Sequence, residues 1–274
     1  MSLRPEYTGV ASATTPGENI ESNNSDGEQM FKAEIKSETL KGLVNVISTL
    51  IDEVKFTIDQ NGMVLKAVDP AHVAMIELKV GAKAFESYSA SNTEIGLDLD
   101  KVKTVLKLAG PGDVIAMEQD EGNGRLVFRI GKITRSMNLV DTSSMNDPKV
   151  PQLNLSTKVR VIVDQLQKGI RAAESISDHI ALKANSKYFE LSCEGDTDDA
   201  NLKLEEGDYE ELVASSEVCS LFPLDYFSNL IKAIPAGTMI TVELDNDYPV
   251  RLVFGLSNDE VKVEYFLAPR IESD

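Results

Sequence analysis

Residues 96–118, GLDLDKVKTVLKLAGPGDVIAME, recur about 125 positions later as residues 220–243, SLFPLDYFSNLIKAIPAGTMITVE. One residue inserted early in the second copy aligns Leu99-Asp100 with Leu224-Asp225, Lys107 with Lys232, Gly112 with Gly237 and Glu118 with Glu243. Both copies read alike: an acid, apolar residues at helical spacing, a Pro/Gly turn, then a strand. Outward from there the match continues. Arg125-Leu126-Val127-Phe128 returns as Arg251-Leu252-Val253-Phe254, Lys41-Gly42-Leu43 falls on Lys168-Gly169-Ile170, and Leu65 falls on Leu191. The chain is therefore two similar tandem domains. Each reads as a domain of two helices and about eight or nine short strands, with the helices on one face of antiparallel sheet, an α+β architecture.

The periodicity fills in the first copy. Phe31, Ala33 and Ile35 alternate as a strand, and Leu40, Leu43, Val44, Ile47, Leu50 and Ile51 fall at helical spacing after Ser37, the expected N-cap. Strands are predicted at 55–60 and 63–68 around an Asn61-Gly62 turn, then at 72–80, 94–97, 114–117, 125–130 and 133–140. Asp141 to Pro151, DTSSMNDPKVP, has two prolines and no period. The predicted units are thus a disordered extension over 1–29, a domain over 30–140, a connecting linker over 141–152 and a second domain over 153–274. The extension is rich in Ser, Thr, Asn and Gly and too poor in apolar groups to offset its ordering entropy. Met30, which opens the periodic sequence, is an alternative start.

With 274 residues, 45 acids and 27 bases, the chain carries a formal charge of -18. Spread evenly, that charge would repel nucleic acid. It is not spread evenly. The four helix windows 38–50, 100–109, 164–175 and 225–233 hold seven bases and five acids, a net of +2, which leaves -20 elsewhere. At about 100° per residue, Lys103 and Lys107 oppose the stripe of Val102, Val105, Leu106 and Ala109. Lys168 and Arg171 oppose Leu166, Ile170 and Ala173, and Lys232 opposes Phe227, Leu230, Ile231 and Ile234. Asp100, Asp164 and Asp225 fall near helix N-termini, where they favour the macrodipole and stand apart from the later bases. Four such helices facing one cavity would line it with positive charge and leave the acidic surface outside.

Nothing points to catalysis. There is no phosphate-binding glycine loop, and the two histidines, His72 and His179, are far apart in sequence. Cys193 and Cys219 match no zinc spacing and are expected as buried thiols. The run Asp196-Thr197-Asp198-Asp199 lacks the glycine and later ligands of a calcium loop. The carboxylates Glu118, Asp120 and Glu243 leave a metal-dependent nuclease as the enzymatic alternative. No catalytic residue, metal or cofactor is expected. No apolar stretch reaches the length of a membrane span, and the chain reads as a soluble intracellular protein.

LDLDKVKTVLKLAG (97–110), LKAVDPAHVAMIEL (65–78) and YFLAPRIE (265–272) resemble the DNA polymerase sliding clamp family, proliferating cell nuclear antigen, in its archaeal type. The resemblance runs from Met30 to about Glu272. It implies the DNA clamp fold, closing into a homotrimeric ring whose helices line a channel around duplex DNA. By position, the channel bases would be Lys41, Lys101, Lys103, Lys107, Lys168, Arg171 and Lys232, touching phosphate weakly and without sequence preference. A pocket for a short partner peptide would map onto Val68, His72, Met145, Val150, Pro249, Phe266, Ala268, Pro269 and Arg270. Subunits would join by edge pairing of a strand around 129–140 with 201–206, Lys132 and Arg135 facing Glu205 and Glu206. The implied function is a non-catalytic processivity factor that tethers DNA polymerase, clamp loader, flap endonuclease and ligase, cytoplasmic in an archaeon or nuclear in a eukaryote. A checkpoint-type heterotrimeric clamp subunit and a non-catalytic acidic interaction scaffold are the alternatives.

Overall fold

The computed structural model describes residues 31–270, so the extension, Met30 and the last residues of the YFLAPRIE stretch lie outside it. The first half runs β1 (Phe31–Lys36), α1 (Ser37–Ile47), β2 (Glu53–Asp59), β3 (Gly62–Val68), β4 (Ala74–Gly81), β5 (Ser87–Ala90), β6 (Thr93–Asp98), α2 (Leu99–Leu106), β7 (Val114–Asp120), β8 (Arg125–Ile130) and β9 (Ile133–Asn138). The second half repeats that order as β10 (Thr157–Ile162), α3 (Val163–Ala173), β11 (His179–Ala184), β12 (Phe189–Glu194), β13 (Asp199–Leu204), β14 (Glu211–Val213), β15 (Val218–Pro223), α4 (Leu224–Ala233), β16 (Met239–Leu244), β17 (Val250–Leu256) and β18 (Val261–Leu267). All pairings are antiparallel between these strands.

Each half contributes one run of five strands and one of four. β5-β1-β7-β8-β9 and β13-β12-β11-β15 stand alone, while β14-β10-β16-β17-β18 and β4-β3-β2-β6 fuse through β18·β4 into a nine-stranded sheet. The fusing register runs from Val261↔Val80 to Leu267↔Ala74. The hairpin between β2 and β3 turns at Asn61-Gly62, where Asp59 accepts the N–H groups of both residues. Gly62 sits at φ 147°, and a Cβ there would lie 2.0 Å from the carbonyl oxygen of Val80, so only glycine fits.

The helices pack their apolar stripes on the sheets: Leu43, Val44 and Ile47 on α1, Val102, Val105 and Leu106 on α2, Leu166, Ile170 and Ala173 on α3, Phe227, Leu230 and Ile231 on α4. They form one row in the order α2, α1, α4, α3, joined across the two halves by α1·α4. Gly169 lets α3 approach β13 closely, since a Cβ there would meet the Leu202 side chain at 2.8 Å. Across the joint Tyr265 of β18 is fully buried and donates to the Val46 carbonyl of α1 at 2.7 Å, and Asn45 of α1 donates to the Ala233 carbonyl of α4 at 3.1 Å.

Several expectations need correction. Ser37 is not the N-cap of α1: it is the buried first helical residue, and its hydroxyl donates to the Gly110 carbonyl, tying α1 to the turn after α2. The capping side chain belongs instead to Asp98, which accepts the Lys101 N–H at the start of α2. The strand expected from His72 begins at Ala74, because 69–73 form a turn around Asp69. β5 lacks the apolar alternation that announces a strand, with the sequence SYSA. Cys193 is buried as expected, whereas Cys219 is exposed: on β15 the inward side belongs to Val218, Ser220 and Phe222. Among the described residues no helix is long and apolar enough to cross a membrane.

Candidate functional site

The helix row presents the predicted bases on its outer side, and local chemistry divides them. Lys41 donates to the Ala109 carbonyl at 2.7 Å. Lys101 and Lys103 pair with Asp98 and Asp100. Lys232 pairs with Glu174, which also accepts from Ser228, and these two bonds hold the Glu174 carboxyl below its ordinary value. Lys107, Lys168 and Arg171 are exposed, and their side chains make no hydrogen bond or ion pair among the described residues. Two helix-start acids are meanwhile turned to structural work. Glu38 accepts the Gly112 N–H, chiefly through which its carboxyl is held low, and Asp164 accepts the Gly237 N–H at 2.6 Å. These bonds repeat one another in the two halves.

The residues predicted for a peptide pocket divide between a loop, a terminal segment and the linker. Asp69 is 3% exposed and its carboxylate accepts from the N–H groups of Ala71, Val73 and Ala74 at 2.6–2.9 Å, fixing the turn that carries His72 at φ 58°. Tyr226 of α4 reaches across from the other half and donates to Asp69 at 2.8 Å. Burial alone would raise the Asp69 carboxyl, but these hydrogen bonds outweigh it and hold it below its usual range. The terminal segment passes beside this turn, with Ala268 N–H on the Val73 carbonyl and Arg270 N–H on the Leu221 carbonyl. Arg270 lies against the His179 ring at the mouth of a hollow of about 580 Å³.

Val150 and Phe266 share a second hollow of about 610 Å³ beneath the linker, with Lys66, Lys79, Lys149 and Arg251. Phe266 is 5% exposed, with the Arg251 guanidinium 6.0 Å from its ring centre, so it forms the floor rather than a projecting anchor. Val68 is half-buried at the end of β3, while neither half-buried Met145 nor half-buried Pro249 lines either hollow. The linker is strapped down by Lys55, which pairs with Glu94 of β6 and Asp147 of the linker, and by the bridge of Val140 to Gly96. Sequence reading missed Asp69, Tyr226, Lys55 and Arg251. Only Asp69 had a local signal, an Asp-Pro pair that favours a turn.

Six strands end the three sheets, and four of them are protected. β6 is covered by Val140, and β15 by Asp247 and Arg270, whose N–H groups bond to Cys219 and Leu221. β5 and β14 are only four and three residues long. Among the described residues nothing pairs with the outer edges of β9 and β13, six residues each, and Ile133 of β9 is 45% exposed. Lys132, Arg135, Glu205 and Glu206 are exposed on or beside them. The strand expected to reach Glu206 stops at Leu204, because Asp208 draws the Glu205 N–H into a turn. Glu205 pairs within the chain with Lys203.

The nuclease alternative fails on geometry. Glu118 and Asp120 lie on β7 of the five-stranded sheet, the former paired with Arg129, whereas Glu243 lies on β16 of the nine-stranded sheet and pairs with Arg251. No group of three or more His, Cys, Asp or Glu among the described residues is placed to hold a metal.

Residues 30–147 match the family described as proliferating cell nuclear antigen, N-terminal domain, and residues 149–270 match its C-terminal domain. A DNA polymerase sliding clamp of Methanosarcina mazei is 39% identical over 246 residues, covering 89% of this chain and 100% of the relative. One of Natronomonas pharaonis is 36% identical over 248 residues with the same coverage. Among solved structures, A. fulgidus PCNA with the C-terminal region of FEN-1 bound superposes with TM-score 0.84 at 31% identity, covering 89% of this chain and 100% of that one. PCNA of Thermococcus kodakaraensis, at 22% identity and TM-score 0.82 over 88% of this chain and 100% of that one, shares the fold.

Proposed function

The chain belongs to the proliferating cell nuclear antigen family of DNA polymerase sliding clamps, and from that premise we propose that three copies close into a ring around duplex DNA and tether replication and repair enzymes to it. As in its family, it is a non-catalytic processivity factor. The observation that carries the ring is internal symmetry. Through Arg125≡Arg251 and their cross-strand partners, β9 is the counterpart of β18, and through Leu65≡Leu191, β13 is the counterpart of β4. β18 and β4 pair inside the chain, whereas β9 and β13 are open. Repeating the internal join between copies sets Ile133 opposite Leu204, Arg135 opposite Leu202 and Lys132 opposite Glu205. That register favours the Lys132–Glu205 contact and moves Arg135 away from Glu206. A heterologous join of this kind propagates, and it closes when the rotation allows.

The partner surface is read as the His72 turn, the Ala268–Arg270 segment and the Val150/Phe266 hollow, with Val68, Met145 and Pro249 at its margins. It would take a short peptide from DNA polymerase, clamp loader, flap endonuclease or ligase. The FEN-1 segment bound to the A. fulgidus clamp supports this reading. The archaeal relatives favour a cytoplasmic location. The domain division proposed is 30–140 and 153–274 with a linker between. The test is polymerase extension on primed circular DNA with a clamp loader and ATP. The expected result is longer products, and no gain in length with loader and ATP present would refute the function.

A further inference from the structure

The hollow beneath the linker carries the opposite charge to the chain as a whole. Its charged lining is Lys66, Lys79, Lys149 and Arg251 against Glu77 and Glu264, four bases less two acids, a net of +2 in a chain of -18. Strand register gathers them. Where β18 joins β4, Glu264 stands directly opposite Glu77, on the same face as Phe266 opposite Met75 and Lys262 opposite Lys79. Two carboxylates so placed repel each other. They are 7% and 5% exposed, and each is compensated by two cations: Glu77 by Lys79 at 3.0 Å and Lys66 at 3.8 Å, Glu264 by Arg251 at 2.6 Å and Lys262 at 2.7 Å.

The two acids are thereby fully engaged, but not all the cations are. Lys66 stands beyond hydrogen-bond reach of Glu77. Lys149, supplied by the linker, is exposed, and its side chain makes no hydrogen bond or ion pair among the described residues. Ammonium donors therefore face this hollow beside the apolar floor of Phe266. The hollow beside Arg270 has the reverse balance, since Glu174, Asp178 and Asp225 outnumber Arg270 among its charged residues. Phe266 and Arg270 are four residues apart on one segment, so at most about 14 Å of chain separates the basic hollow from the acidic one.

We propose that the hollow beneath the linker selects partner peptides by charge, taking a flank that carries aspartate or glutamate, with the carboxylates on Lys66 and Lys149 and an apolar neighbour on Phe266. The proposal rests on the partner-surface reading above and adds the chemistry of the flank. Complementary charge speeds encounter and rejects like-charged competitors. The acidic hollow nearby repels the same flank, so acid helps at one end of the peptide only.

The test is fluorescence anisotropy of the full chain with a labelled, amidated copy of the FEN-1 C-terminal segment that the A. fulgidus clamp binds. Three versions carry two glutamates at one end, two glutamates at the other end, or glutamines at both. At about 50 mM salt, glutamates should tighten binding about fivefold at one end and not at the other, and about 0.5 M salt should remove most of the gain. Lys149→Glu removes no contact within the chain, and in that variant the gain of the glutamate over the glutamine version should fall below about twofold. The same charge reversal at exposed Lys83, Lys83→Glu, should keep the full gain. Equal affinity of glutamate and glutamine versions at both ends, or a gain that survives Lys149→Glu, overturns the proposal. No binding of any of the three versions overturns the partner-surface reading itself.

Discussion

One carboxylate governs the turn that carries His72. Asp69 accepts three backbone N–H groups and the Tyr226 hydroxyl, and it is nearly fully buried. Asp69→Ala should cost about 3 kcal/mol in urea unfolding, since it strands several buried donors, and Tyr226→Phe about 1 kcal/mol. Because the folded carboxyl is held below its unfolded value, its contribution is complete above the unfolded carboxylate range and is lost as pH falls through the lowered folded value. Asp69→Asn should therefore flatten the acid limb of the stability curve below the unfolded carboxylate range, and a limb parallel to wild type would count against this role. The Asp69-Pro70 pair is a local turn signal that the sequence reading missed, and the partner left no signal at all, because Tyr226 lies 157 positions away and only the folded joint brings α4 to it.

At the scale of elements, the helices were legible from their apolar spacing, and the turn at Asn61-Gly62 from its residue types. β5 was not legible because a four-residue strand of Ser, Tyr, Ser and Ala has no alternating stripe, and Ser37 was misread because a buried bond to Gly110 replaces a cap. The linker looked structureless, yet Lys55 pins it through Asp147. Burial lowers the Lys55 ammonium's value, but the two carboxylates prevail and raise it, so this clasp stays charged and intact until pH rises through the elevated folded value. Lys55→Gln should speed limited proteolysis within 141–152 several-fold and leave the unfolding midpoint of the core within about 1 kcal/mol. For the open edge, Ile133→Glu would set a carboxylate opposite Leu204 and next to Glu205. The expected effect is a rise of about tenfold or more in the concentration of half-dissociation, roughly 1.4 kcal/mol. An unchanged midpoint would remove β9 from the interface.

For the whole molecule, the division of charge between helices and the rest was readable in sequence, but its strength was not. Of seven predicted channel bases four are engaged within the chain, which leaves Lys107, Lys168 and Arg171 to meet phosphate without first breaking a contact. Three bases in each copy, set against an acidic exterior, give weak and strongly screened attraction to DNA. Such attraction does not by itself hold a protein on its template, so under the ring proposal retention would come from closure. Loaded on a nicked circle, the protein should remain through gel filtration, and linearising the same DNA with a restriction enzyme should shorten its residence by about tenfold or more at equal salt, because the ends offer an exit that costs no strand pairing. Blocking those ends with a bulky bound protein should restore retention. Equal loss from circle and line, rising steeply with salt in both, would show that side-chain contacts rather than encirclement keep the chain on DNA.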